Sequence, residues 1–444
     1  MKKLIKNLTL FLLLALTGNS YAIDINDSAQ IHGFVSQGYL YSADNEYAGS
    51  KSGEGSFDFR EIGINGFWEA SPKLRFAGQV LSRKVGEASD GSLKVDFLLA
   101  DYLIHSDDKS NFGVRIGRIK TPLGLYNAVR DIPSSRPGIS VPNSIYFDSF
   151  RDALIATDGL NLYGSFSPEI GVFSWDMSVG KRDLEGPTIE YYMFGEPVEG
   201  KFKHVELQGL KLAFKPNVEH DLNFGLSFLH VNIPMEDAQS AAAAQTALFS
   251  TPSVGAAYGA VLLGGDPAIL GAAIQTEMTA NYTKYLTGSN IDSLYALFSV
   301  QYGHDDWLWT AEYLNIYNDI QIDILNPQSG GSTSNIARPV TEGFYLQGEW
   351  FATPSIHGML RYEELYLVSD DRNGSDSSRP YDTYHGFGRG LTLGAKWLID
   401  PYWTLSGQIS HNEGTAWIPV YEGIEEVVLK KDWNTYALQL TYQF

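Results

Sequence analysis

Apolar and polar positions alternate along most of this chain, and the end of the chain shows the pattern most plainly. Tyr436, Leu438, Leu440, Tyr442 and Phe444 fall on one parity, with Ala437, Gln439, Thr441 and Gln443 on the other. Successive side chains of a strand point to opposite faces, so this segment reads as a strand with one apolar and one polar face. The alternation recurs upstream. Leu74, Phe76 and Val80 oppose Arg75 and Gln79; Leu222, Phe224, Leu226 and Phe228 oppose Asn223 and Ser227; Leu391, Leu393 and Trp397 oppose Thr392 and Lys396. Any one such segment suits a half-buried strand of a soluble sandwich. The recurrence at hairpin spacing predicts an all-β chain of about sixteen antiparallel strands.

The connections sort into two kinds. Short turns such as Ser167-Pro168-Glu169, Ala352-Thr353-Pro354-Ser355 and Ile399-Asp400-Pro401 are built from turn residues. Between them fall longer stretches: 43–56, 86–91, 120–157, 183–203, 233–290, 319–340, 369–387 and 412–432. Short turns at one end and long loops at the other are the asymmetry of a transmembrane barrel, with the short turns on the periplasmic side.

The start of the chain agrees with export. Lys2, Lys3 and Lys6 precede an apolar run from Leu8 to Leu16, and Ser20-Tyr21-Ala22 offers small residues for a signal peptidase. Residues 1–22 are therefore expected to be a signal peptide and 23–444 the barrel. Composition supports a barrel over a disulfide-stapled domain: Tyr 26, Phe 23, Trp 9, Gly 44 and Cys 0. The formal charge is −20, and removing residues 1–22, which hold three lysines and no acid, makes it −23. So acidic a chain is not expected to bind nucleic acid.

The terminal strand resembles that of bacterial outer-membrane proteins, which ends in an aromatic residue recognised by the barrel-assembly machinery. That resemblance makes Phe444 an insertion signal. Strand number, loop order and Phe444 together resemble the sixteen-stranded porins of Gram-negative bacteria. The run Gly117-Arg118-Ile119-Lys120-Thr121-Pro122-Leu123-Gly124-Leu125-Tyr126-Asn127 is similar to the segment leading into the third loop of porins related to the phosphate-selective type. The resemblance implies an inward-folded third loop and a homotrimer. It also implies an outer-membrane location among lipids and lipopolysaccharide, and passive diffusion of small hydrophilic solutes.

That loop, about 120–158, contains Pro122, Pro133, Pro137 and Pro142, which bar it from sheet pairing. It carries Arg130, Arg136 and Arg151 beside Asp131, Asp148, Asp152 and Asp158. Strand parity turns Arg75 and Arg115 toward the lumen, with Arg83 near the outer end of its strand. Arginines facing a loop of carboxylates would set a transverse field across a narrow gap. These ten residues are the expected pore-lining and constriction set, although the Arg–Asp neighbours also read as pairs that merely pin the loop.

Other constellations are thin. Glu363 and Glu364 are adjacent and face opposite sides of a strand. The nine histidines form no ligand-like cluster, and the oxygen-rich stretch Ser369 to Gly374 lacks the spacing of a calcium site. No metal, cofactor or catalytic residue is expected. The Ala/Gly-rich loop 233–290 reads as a surface lid with short helices, or as a second constriction or subunit contact. An outer-membrane enzyme of lipase or protease type, and a surface receptor or adhesin working through the long extracellular loops, are the competing functions.

Overall fold

In the computed structural model Gln439 and Thr441 are buried, while Tyr436 and Leu438 lie open on the opposite face. The same division runs around the whole sheet. The structure describes residues 23–444 apart from 27, 49, 51–52, 87–88, 149, 185–187, 195, 199, 376–382 and 419–428. The expected signal peptide thus lies outside the described residues.

Sixteen strands form the wall. The first five are β1 (Ala29–Ser42), β2 (Gly55–Ser71), β3 (Leu74–Val85), β4 (Ser89–Ser106) and β5 (Ser110–Lys120). Then come β6 (Ala156–Phe166), β7 (Gly171–Asp183), β8 (His204–Pro216), β9 (Asp221–Pro234) and β10 (Leu286–His304). The last six are β11 (Trp307–Asn326), β12 (Val340–Thr353), β13 (Ile356–Tyr366), β14 (Phe387–Leu398), β15 (Trp403–Gly414) and β16 (Asp432–Gln443). Each pairs antiparallel with the next, and β16 pairs back onto β1 from Thr435↔Ser42 to Gln443↔Phe34. The sheet is a closed barrel, which removes its edges.

Two of the expected long loops are replaced by sheet. Part of segment 86–91 joins the sheet, because Ser89, Asp90 and Leu93 already take ladder positions opposite Val85, Lys84 and Ser82. The Ser-Asp-Gly composition there reads as a loop, but a bulge absorbs it into the strand. Segment 319–340 is a hairpin. β11 runs on to Asn326, and residues 331–337 return along it from Asn326↔Gly331 to Ile320↔Ala337. The longest loop carries three helices, α1 (Ala241–Ser250), α2 (Pro252–Leu262) and α3 (Pro267–Ala280). Ser240 and Asp266 cap α1 and α3 by accepting from backbone N–H groups at 3.2 and 2.9 Å.

The outer surface is a lipid-facing band. Leu360, Leu393, Ile409 and Tyr436 sit side by side on four neighbouring strands and are all exposed. Near the short turns the band ends in aromatic clusters. Trp307 stacks on Trp309 and Trp350 at 5.5 and 6.1 Å, and Phe173 on Phe166 and Phe214 at 4.9 and 4.3 Å. At the long-loop end a row of charge crosses four strands: Arg118 opposite Asp158, then Lys181, then Glu206. Aromatic girdles and charged borders at the two interfaces are what an outer-membrane barrel requires.

The inner wall is of two kinds. Ser36, Gln79, Asn161, Thr392, Ser410 and Gln439 make one side polar. Across β8 to β12 it is apolar, with Leu207, Leu229, Leu297, Leu314 and Tyr345. That half would be badly solvated if left wet. The loop after β5 covers it.

Candidate pore constriction

The loop between β5 and β6, residues 121–155, folds into the barrel. Asn127 ties its root by donating to the Thr121 carbonyl at 2.9 Å. Leu123, Tyr126, Val141, Ile145 and Leu154 then pack on the apolar wall of β8 to β12. Burying a side chain of this size is worth about 1.5–3 kcal/mol, so hydrophobic burial holds this half of the loop.

One wall carboxylate organises the root. Glu312 of β11 is buried and accepts from the hydroxyls of Ser299, Tyr146 and Tyr345 at 2.6, 2.6 and 2.9 Å. It also accepts from the Leu125 N–H at 3.0 Å. Burial, with the Glu312 charge beside it, raises the Tyr146 phenol well above its ordinary range, so the hydroxyl stays protonated and donates.

Beyond a 3-10 turn at Pro133–Ser135 the chain crosses to the polar wall. Arg136 grips Glu61 of β2 through two contacts of 3.1 and 2.5 Å. Gln408 of β15 accepts from the N–H groups of Ile139 and Ser140, and Glu363 of β13 accepts from that of Ser144. The loop is therefore fastened on both sides of the barrel, by apolar contact on one and by hydrogen bonds on the other.

Between these fastenings lies a network of charge. Asp131 binds both Lys120 and Arg151, and Lys120 reaches on to Asp96 at 2.5 Å. Arg151 also holds Asp152, which pairs with Lys94 at 2.9 Å. Arg83 of β3 meets Asp148 at 2.9 Å and Glu61 at 3.7 Å, and Arg130 meets Asp148 at 3.3 Å. Burial raises the Asp131 carboxyl, but Arg151 and Lys120 outweigh it and hold the group well below the usual carboxylate range. Asp152 is brought down to about 2, burial again losing to Arg151 and Lys94. Burial pushes the Arg130 guanidinium down to about 10, which leaves it charged at neutral pH.

A cavity of about 90 Å³ opens beside this network, bounded by the arginines 83, 130, 136 and 151 and by the carboxylates of Glu61, Asp131, Asp148 and Glu363. A second, of about 310 Å³, is lined by Asn111, Arg115, Tyr163, Asp176 and Lys211. Among the described residues no group of three or more His, Cys, Asp or Glu is placed to hold a metal ion.

Of the ten residues expected at the constriction, seven come together in this network: Arg83, Arg130, Asp131, Arg136, Asp148, Arg151 and Asp152. Arg115 is held by strand residues, meeting Asp101 at 3.1 Å and Asp176 at 3.5 Å with its guanidinium over the Tyr163 ring. Arg75 lies one residue from the Ser71↔Leu74 turn and stacks on Phe67 at 4.0 Å. Asp158 does not join them. It shares the outward parity of Leu160 and Phe166 and takes a bidentate contact from Arg118 at 2.7 and 2.8 Å. Glu61, Asp96, Glu312, Arg361, Glu363, Lys396 and Gln408 were missed by sequence reasoning. Strand parity marks each as inward or outward, but not which of them meets the loop.

Three solved structures share the architecture. The outer-membrane expressed OmpT of Vibrio cholerae matches at 11% identity with a TM-score of 0.51, over 96% of this chain and 100% of that one. An anion-selective porin from Comamonas acidovorans matches at 12% identity and TM-score 0.51, over 94% of this chain and 99% of that one. The fold is that of a sixteen-stranded outer-membrane porin. The outer-membrane channel DcaP of Acinetobacter baumannii gives 10% identity and TM-score 0.50, over 96% and 100% of the two chains. No protein-family model and no curated protein matches the sequence. The chain shares the barrel fold of these three structures, and its third long connection turns inward.

Proposed function

We propose that the protein is a passive diffusion channel for small polar or charged solutes, with its narrowest point where loop 121–155 meets β2 and β3. The observation that carries this reading is the cavity beside the loop, where four arginines and four carboxylates converge inside a porin barrel. Charges of both signs across a narrow gap favour solutes with dipoles or charge and penalise apolar ones. Arg83, Arg130, Asp131, Arg136, Asp148, Arg151 and Asp152 form the constriction on this reading, Arg115 lines a vestibule and Arg75 stands near a mouth. Liposomes carrying the protein should swell in small sugars and amino acids, and progressively less as the solute grows. Swelling indifferent to solute size would overturn it.

The family resemblance supports three attached proposals. Residues 1–22 are removed on export, which sequencing the mature N-terminus tests. Phe444 is the insertion signal read by the assembly machinery. The barrel is a homotrimer among lipids and lipopolysaccharide, and a native mass of the detergent-extracted protein showing monomer alone would contradict that.

A further inference from the structure

Most of what the polar wall offers to residues 134–144 is directed at their main chain. The Gln408 side-chain oxygen accepts from the N–H groups of Ile139 and Ser140 at 2.9 and 3.2 Å, and Glu363 accepts from that of Ser144 at 3.0 Å. Arg361 donates to the Ser140 carbonyl at 3.0 Å. Lys396 donates to the carbonyls of Ser134 and Arg136 at 3.1 and 2.5 Å. Contacts of this kind read the path of a chain and not its sequence.

Three side chains add selectivity, one of them Ser140, whose hydroxyl oxygen accepts from Arg361 and Gln408 at 3.2 and 2.8 Å. Arg136 enters an acidic recess whose carboxylate, Glu61, is buried and also accepts from Gln439 at 3.1 Å. Ile139 fills an apolar recess between Phe59 and Val85. Between them, at Gly138, a Cβ atom would stand 2.7 Å from the Gln408 oxygen, so a side chain there would have to displace Gln408. Pro137 and Pro142 fix φ and withhold N–H groups, so the segment, which bends through residues 136–140, takes no strand partner. The segment lies in the wall as a peptide lies in a receptor groove.

We propose that this wall is a binding groove for short peptides that carry a basic residue and, three positions later, an aliphatic one. Residues 134–144 occupy it as an internal ligand. The proposal rests on the channel reading, because a peptide reaches the groove through the lumen. The groove sets cationic Arg361 and Lys396 beside anionic Glu61 and Glu363, so a simple anion or cation gains little there. The alternating N–H and C=O groups of a peptide match it. The tethered segment competes at an effective concentration in the millimolar range, so free peptide is held weakly and can leave again.

The test uses the full-length protein in planar bilayers with the peptide Arg-Pro-Gly-Ile-Ser, which copies residues 136–140, and its counterpart Glu-Pro-Gly-Ile-Ser. The arginine peptide should interrupt the current in a concentration-dependent way, and the glutamate peptide much less. In the double variant Arg136→Ala/Ile139→Ala, half-block should need about tenfold less peptide, since the tethered competitor is weakened. Adding Glu61→Gln should reverse that gain. Fluorescent peptide bound to detergent-extracted protein gives the same comparison without relying on current. Equal action of both peptides, or none, in a conducting channel would overturn the groove alone. No current at all would overturn the channel reading and the groove with it.

Discussion

The Tyr146 hydroxyl donates to Glu312 at 2.6 Å while accepting from the backbone N–H groups of Leu125 and Tyr126 at 2.7 and 2.9 Å. One phenol therefore ties the far limb of the inward loop, its root and the wall of β11 to a single point. Tyr146→Phe leaves a buried carboxylate and a buried N–H short of a partner, each costing about 1–3 kcal/mol. Amides of 123–130 should exchange with deuterium faster in this variant. Tyr345→Phe should do less, because Tyr146 still satisfies Glu312.

The loop should resist acid. Asp131, Asp148 and Asp152 are all held below their ordinary range, burial being outweighed by neighbouring arginines and lysines. A depressed carboxyl contributes stability that is present above its unfolded value, 3.8, and lost as pH falls through its folded value, about 2 for Asp152. The contribution of these three carboxyls to stability should be constant from about pH 7 to about pH 4 and fall only below about pH 3, seen as the difference in heat-modified gel migration between wild type and Asp131→Asn. A change centred near pH 5 would contradict this. Removing the charge outright is harsher: Asp131→Asn leaves Lys120 and Arg151 without their shared anion and should cost about 3–5 kcal/mol, seen as a lower temperature of heat-modified gel migration.

The three wall arginines should not be equivalent. Arg83 neutralises Asp148 and stands beside Glu61 at the smaller cavity, so Arg83→Gln releases negative charge at the proposed narrowest point. Arg115→Gln does the same for Asp101 and for Asp176, the latter lining the wider cavity. Arg75→Gln only removes a cation from an exposed position over Phe67. Reversal potentials in asymmetric salt should shift toward cation selectivity in the order Arg83, Arg115, Arg75. A largest shift for Arg75 would place the constriction elsewhere.

The barrel closes at a seam that sequence alone hides. The Phe444 backbone exchanges hydrogen bonds with Gly33 at 2.9 and 3.0 Å, and its ring lies over Gly33 so closely that a Cβ there would stand 2.5 Å from it. Gly33→Ala should swing the ring aside and lower the assembled fraction. Deleting Phe444 should lower it further by removing the backbone pair as well. Wild-type levels of heat-modifiable barrel in both variants would show that the seam does not depend on this contact.

What the sequence made legible was parity. Sixteen strands, Gln439 inward and Leu438 outward all follow from a period of two, because lipid on one side punishes any slip of register. Parity misleads where the inward face is the apolar one, as at Val205 and Leu207 beside Glu206, or Leu229 and Val231 beside His230, so the loop-covered inner wall could not be told from the lipid face. It fails again at segment 319–340, where the outer hairpin has no lipid to impose alternation. Six of the seven gathered site residues were legible because charge in a proline-broken loop has few places to go, and Arg83 was legible from its place near the outer end of β3. Their partners Glu61, Glu312 and Gln408 lie up to 269 positions from the loop residues they hold, as Gln408 does from Ile139. Only the closed barrel brings them together.

Single-channel current through the purified protein in a planar bilayer tests the central claim most directly. The account predicts discrete ohmic steps in potassium chloride, smaller than an open sixteen-stranded barrel would pass, and a larger step when Arg136→Ala releases the loop from Glu61. A bilayer that stays insulating with verified, folded barrel inserted, or steps that ignore Arg136→Ala, would contradict it.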